Sequence, residues 1–101
     1  MTTIVVLFNL NPGVEPGVYE AWARANDLPA VNALGSVREF RVLRAGGLMN
    51  GAAAPYQYIE LIELVSLDGL RADVKSELMR RVAAEFRQFA DAPQFIVTEP
   101  I

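Results

Sequence analysis

The order strand, helix, strand, strand, helix, strand predicts an α+β fold: one four-stranded antiparallel sheet with its helices on a single face. Three observations lead to it. β-branched and apolar runs mark the strands, apolar residues recur at helical spacing in two regions, and Pro, Gly and Asn clusters fall between them. At 101 residues and 52% hydrophobic content, residues 1–101 suit one domain with one core.

Thr3-Ile4-Val5-Val6-Leu7-Phe8-Asn9-Leu10 is apolar on both faces, as a central strand is, and Asn11-Pro12-Gly13 ends it. From Pro16, Val18, Tyr19, Trp22 and Ala23 recur at helical spacing. Pro29 disfavours a helical Leu28, so the helix is expected to break there, with Asp27 capping a short second helix through Leu34. A second strand runs from Val37 to Arg44, and a nearly uncharged loop, 45–55, leads to a third from Tyr56 to Leu64. Asp68 is placed as the cap of a first helical turn and Ser76 as the cap of a longer helix. That helix carries the stripe Leu78, Met79, Val82, Phe86 and Phe89. Asp91-Ala92-Pro93 stops it, and Gln94 to Thr98 is the last strand. Laying Leu7-Phe8-Asn9-Leu10 on Leu61-Ile62-Glu63-Leu64 superposes two β-α-β halves, the signature of a ferredoxin-like βαββαβ sandwich.

Helices on one face leave the other face of the sheet uncovered. Ile59 and Leu61 are the more uniformly apolar pair of the third strand and are assigned to the helices, with Asn9, Phe40 and Val42. Ile4, Val6, Phe8, Glu39, Arg41, Leu43, Tyr58, Glu60 and Ile62 then point to the open face, with Tyr56 at its edge. A hairpin symmetric about residues 50 and 51 sets Arg41 across from Glu60. A face so apolar predicts a homodimer closing sheet to sheet, a dimeric α/β barrel, with a cleft between sheet and helices in each subunit.

Nine Lys and Arg against twelve Asp and Glu give a net charge of -3, which disfavours a nucleic-acid backbone as partner. No apolar run is long enough for a membrane span. The start reads as a strand rather than a signal peptide, and the absence of cysteine suits the cytoplasm. Without His or Cys there is no imidazole base, no thiolate and no metal-ligand spacing, so no metal or cofactor is expected. Chemistry here falls to carboxylates, tyrosines and pocket shape. Glu60, beside Arg41, Tyr56 and Tyr58, is a candidate base or ligand for a cationic or N–H-bearing group; the alternative is a cross-strand ion pair at the dimer interface. Asp27, at the turn after the first helix, is a candidate general base, with helix capping as the alternative. Trp22 and Tyr19 can stack on a flat ligand or fill the core, and Phe8 can wall a cleft. Asn9 is expected to bond loop backbone, and loop 46–55 to be a lid or a free hairpin.

Val6-Leu7-Phe8-Asn9-Leu10-Asn11-Pro12-Gly13-Val14, Tyr19-Glu20-Ala21-Trp22-Ala23, Asp27-Leu28-Pro29, Pro55-Tyr56-Gln57-Tyr58 and Arg81-Val82-Ala83-Ala84-Glu85-Phe86 together resemble the RedY-like HapK family. The resemblance covers nearly the whole chain. It implies membership of the dimeric α/β-barrel superfamily and a role in bacterial secondary metabolism of the prodiginine type. Pyrrolic or indolic intermediates would be handled by a cofactor-free catalyst of proton transfer, cyclisation or oxidation. The alternative is a non-catalytic accessory or carrier that serves pathway enzymes or intermediates. Superfamily relatives include monooxygenases, lactone isomerases, decarboxylases and haem enzymes, and a shared fold does not choose among them. Many relatives carry a polar residue, often His, after the first helix. Asp27 holds that position here, which puts its catalytic role in question.

Overall fold

The β-branched run Thr3–Leu10 forms β1, which the computed structural model, describing all residues 1–101, places inside the sheet. Strand β2 spans Val37–Arg44, β3 Tyr58–Leu64 and β4 Ala90–Thr98. Their spatial order is β2-β3-β1-β4 with every pair antiparallel, so the four-stranded ferredoxin-like sheet is as expected. Helices α1 (Pro16–Trp22), α2 (Leu28–Asn32), α3 (Leu67–Asp73) and α4 (Glu77–Phe89) complete the fold. Ser76 caps α4, its hydroxyl accepting from the Met79 N–H at 3.2 Å. The cap of α3 is Ser66 and not Asp68, because the Ser66 hydroxyl accepts from the Gly69 N–H at 2.9 Å while Asp68 lies within the first turn.

The first helical region does not break at Pro29. Ala23–Asp27 forms a π-helical turn that joins α1 to α2, and Leu28 is helical with φ -58 and ψ -50. A proline ring inside a helix removes one hydrogen bond and crowds the carbonyl four residues back. The wider turn, closed by the Leu28 N–H on the Ala23 carbonyl, gives room for that ring and lets the helix run on. Asp27 has helical backbone angles and makes no capping bond, so it is not a cap. At the other end, β4 begins at Ala90, ahead of the expected Gln94. It tolerates Pro93 because one extra residue bulges out between the Leu7–Gln94 and Asn9–Asp91 pairs, where Ala92 takes φ 44.

The faces of β1 and β3 are the reverse of the expectation. Ile4, Val6, Phe8 and Leu10, with Tyr58, Glu60, Ile62 and Leu64, are buried under the helices. Val5, Leu7, Ile59 and Leu61 lie on the outer face, only half-buried. Asn9 lies on that outer face too; it accepts from the Gln57 N–H at 2.9 Å and donates to the Pro55 carbonyl at 3.2 Å, pinning the loop as expected. Assignments in β2 hold: Phe40 is buried and Val42 half-buried, whereas Glu39, Arg41 and Leu43 face outward. The hairpin register is offset by one residue, so Arg41 lies opposite Leu61 and Val42 opposite Glu60. Arg41 pairs instead with Glu39, at 3.2 Å on the exposed surface.

Between sheet and helices sits an aromatic core. Phe8 is fully buried, stacked on Tyr58 at 5.5 Å and meeting the edges of Tyr19 and Phe86 at 5.5 and 5.1 Å. Trp22 caps the cluster from the side against Phe89, its indole N–H donating to Glu85 Oε1 at 2.8 Å. No helix is long and apolar enough to cross a membrane.

Candidate functional site

The π turn places Asp27 on the inner side of its helix, 5% exposed, and β3 places Glu60 at mid-sheet, 4% exposed. Both carboxyls line one cavity of about 220 Å³ between the sheet, α2 and α4. Its walls are apolar: Ile4, Val31, Phe40, Met79 and Phe86 among them, with the exposed Phe95 at its rim. Asp27 and Glu60 are its only polar side chains, and no Lys or Arg reaches it.

That setting governs their titration. Burial pushes the Asp27 carboxyl up to about 7, and nothing in the protein opposes it. Burial and then the neighbouring Asp27 charge push Glu60 up to about 8, against a modest opposing hydrogen bond from Tyr19. The Tyr19 hydroxyl donates to Glu60 Oε2 at 3.3 Å, and burial followed by the Glu60 charge raises its own pKa far above the phenol range. Two carboxyls that titrate near neutrality in one apolar-walled pocket can hold, share and release a proton, which is what general acid–base work requires.

A second cleft, of about 320 Å³, adjoins the first across the ring of Tyr19. Here Glu20 accepts from the Tyr58 hydroxyl at 2.7 Å, from Arg44 Nε at 2.8 Å and from Arg44 Nη2, with Arg24 at 3.5 Å. Arg44 chiefly, then Tyr58, holds the Glu20 carboxyl down at about 2. Burial and the bond to Glu20 push the Tyr58 phenol up to about 12.

Of the residues singled out in the sequence, the structure brings Asp27 and Glu60 together. Phe8 and Trp22 belong to the aromatic core and do not line that cavity. Arg41 is on the outer face, removed from Glu60 by the offset register. Tyr58 turns its hydroxyl to the second cleft, and Tyr56 sits half-buried in the loop before β3. Loop 46–55 lines neither cavity. Tyr19, Glu20 and Arg44 were not anticipated as polar partners. The available signal was spacing: Tyr19, Ala23 and Asp27 follow at four-residue intervals, as do Glu20 and Arg24.

Solved structures share this architecture. HapK from Hahella chejuensis is 26% identical with a TM-score of 0.82, over 100% of this chain and 93% of that one. A dimeric ferredoxin-like protein of unknown function from Thermobifida fusca is 23% identical at TM-score 0.76, covering 98% of this chain and 90% of that one. SnoaB, a cofactor-independent oxygenase from Streptomyces nogalater, is 14% identical at TM-score 0.75, covering 98% and 91%. No curated protein sequence matches significantly. The model of the REDY-like protein HapK family matches residues 2–101, nearly the whole length, and so the chain belongs to the HapK family.

Proposed function

We propose that this protein is a cofactor-independent acid–base catalyst acting on a small, flat heteroaromatic intermediate, pyrrolic or indolic, in bacterial secondary metabolism. One observation carries the reading: Asp27 and Glu60 are the sole polar groups of an apolar cavity and both titrate near neutrality there. In the protonated state one carboxyl delivers a proton to ring carbon or nitrogen. The other, as carboxylate, removes one, so a tautomerisation, cyclisation or deprotonation ahead of oxygen attack is within reach. Tyr19 orients Glu60 through its hydroxyl, and Phe40, Met79 and Phe86 clasp the ring. The cofactor-independent oxygenase among the similar folds supports chemistry of this type on this scaffold.

The test needs no pathway substrate. Indole exchanges its C3 hydrogen through protonation at carbon followed by loss of the original proton, and NMR in heavy water follows the rate. The protein is expected to accelerate this exchange, and Asp27→Asn or Glu60→Gln to remove most of the acceleration, by about 10²-fold or more. Binding of indole without acceleration would instead assign the chain to the carrier class.

We further propose that two copies pair through the outer faces of their sheets into an α/β barrel. Val5, Leu7, Ile59 and Leu61 lie side by side there with no helix over them, and similar proteins from Thermobifida fusca and Bacteroides fragilis are described as dimeric. A Leu61→Arg variant is expected to sediment as a folded monomer while the parent chain sediments as a dimer. A monomeric parent would remove the barrel.

A further inference from the structure

The polar chemistry of the inner cavity is one-sided. It offers two carboxyl groups and no cation, and the arginines of the adjoining cleft, Arg24 and Arg44, are turned to Glu20. Glu60 accepts one bond, from Tyr19, while the Asp27 carboxyl has no donor among the protein's own groups although it is 5% exposed. The Asp27 oxygens open onto the cavity rather than into packed protein, so their partner comes from what the cavity holds: a group that donates, or one that takes the proton.

We propose that the cavity selects ligands bearing a donor–acceptor nitrogen edge, an N–H together with an unprotonated ring or amidine nitrogen, one meeting Asp27 and the other Glu60. The inference rests on the heteroaromatic reading above and names the feature of the ring that is recognised. A hydrocarbon ring of the same shape leaves Asp27 without a partner and Glu60 with only its bond from Tyr19. An anionic ring adds a negative charge to a pocket that already holds two acids and no counter-ion. A nitrogen edge satisfies both groups at once: the protonated carboxyl gives its proton to the bare nitrogen, and the N–H donates to the other carboxylate. The proton moves from oxygen to nitrogen and no further ion is needed. At about 220 Å³ the cavity falls below the ~300–1,000 Å³ of pockets that take drug-sized ligands, so a mono- or bicyclic ring is the matching size.

Three probes decide it, titrated into the intact protein at pH 7 by calorimetry and NMR: benzimidazole, indole and benzoate. Benzimidazole and indole share a shape, and only benzimidazole has the second nitrogen. Benzimidazole is expected to bind about ten-fold or more tightly than indole, benzoate not at all, with shifts at Ile4, Val31 and Met79. Asp27→Asn and Glu60→Gln are expected to bring benzimidazole down to the affinity of indole. Equal affinity for the two bicycles, or benzoate in the cavity, overturns the nitrogen edge and leaves the heteroaromatic reading standing. If neither bicycle binds, the heteroaromatic reading falls, and the nitrogen edge falls with it. Should either variant fail to fold, the three probes on the unaltered chain still separate these outcomes.

Discussion

Thermal stability is expected to fall as the pH rises from about 5 to about 8, the reverse of a protein held together by ion-paired carboxylates. Asp27 goes from its ordinary 3.8 up to about 7 in the folded chain, and Glu60 from 4.5 up to about 8. Between those limits the folded state holds protons that the unfolded chain has lost, so raising the pH favours unfolding. Each group steepens the fall by about 1.4 kcal/mol per pH unit while it lies inside its window, and the slope ends once both are ionised. For a domain of this size 1 kcal/mol moves Tm by about 4–8 °C, so melting at pH 8.5 is expected more than about 10 °C below melting at pH 5. Glu20 acts in the opposite sense, but its loss of stability begins as pH drops below the ordinary carboxyl range and stays outside this window. The double variant Asp27→Asn with Glu60→Gln is expected to flatten the profile and to melt above the parent at pH 8.5. Amides carry no charge to bury, and stability gained at a working site is commonly matched by activity lost. A parent profile that is level or rises over this range would mean the carboxyls ionise freely, and the acid–base reading would go with it.

The largest expected loss of stability belongs to Phe8→Ala. Phe8 is fully enclosed by Tyr58, Tyr19 and Phe86, where sheet and helices meet. Removing a buried phenyl ring costs about 3–5 kcal/mol through lost transfer energy and an unfilled cavity. That is a large part of the roughly 5–15 kcal/mol that holds a typical domain together, and Tm is expected to fall by about 20 °C. Phe8→Leu, which restores most of the volume, is expected to recover more than half of the loss. It should also leave indole affinity unchanged, since Phe8 does not line the inner cavity. A Phe8→Leu chain with native melting but without indole binding would instead make Phe8 a wall of the ligand site.

Strands and helices were legible because each carries its own period, with turn residues between them. What was not legible was which face of β1 and β3 turns inward. β1 is apolar on both sides over Ile4–Phe8, so alternation there says nothing. In β3 the polar residue Glu60 argues for the solvent side by the ordinary rule, yet the fold buries it under the helices, where the Tyr19 hydroxyl bonds it. A single residue of offset in the hairpin then carried Arg41 away from Glu60. Asp27 and Glu60 stood out as carboxyls in a chain without His or Cys, yet nothing local shows that residues so far apart share one cavity. The Tyr19–Glu60 bond, spanning 41 positions, is equally hidden, since only the packing of α1 on the sheet creates it.

The π turn at Ala23–Asp27 is a phase corrector. Four residues of α-helix overshoot one full turn by about 40°, so positions spaced by four spiral away from any fixed direction. Tyr19, Ala23, Asp27 and Val31 are spaced by four and are nevertheless all buried against the sheet, because the wider turn uses up the accumulated rotation between the second and third of them. The carboxyl of Asp27 is thus aimed by counting rather than by contact. Adding or removing one residue in α1 between Tyr19 and this turn would leave Asp27 and its neighbours chemically intact yet turn Tyr19 by roughly 100° relative to Asp27. The inner cavity is therefore most vulnerable to a change of chain length in this helix, a kind of change that leaves its composition almost untouched.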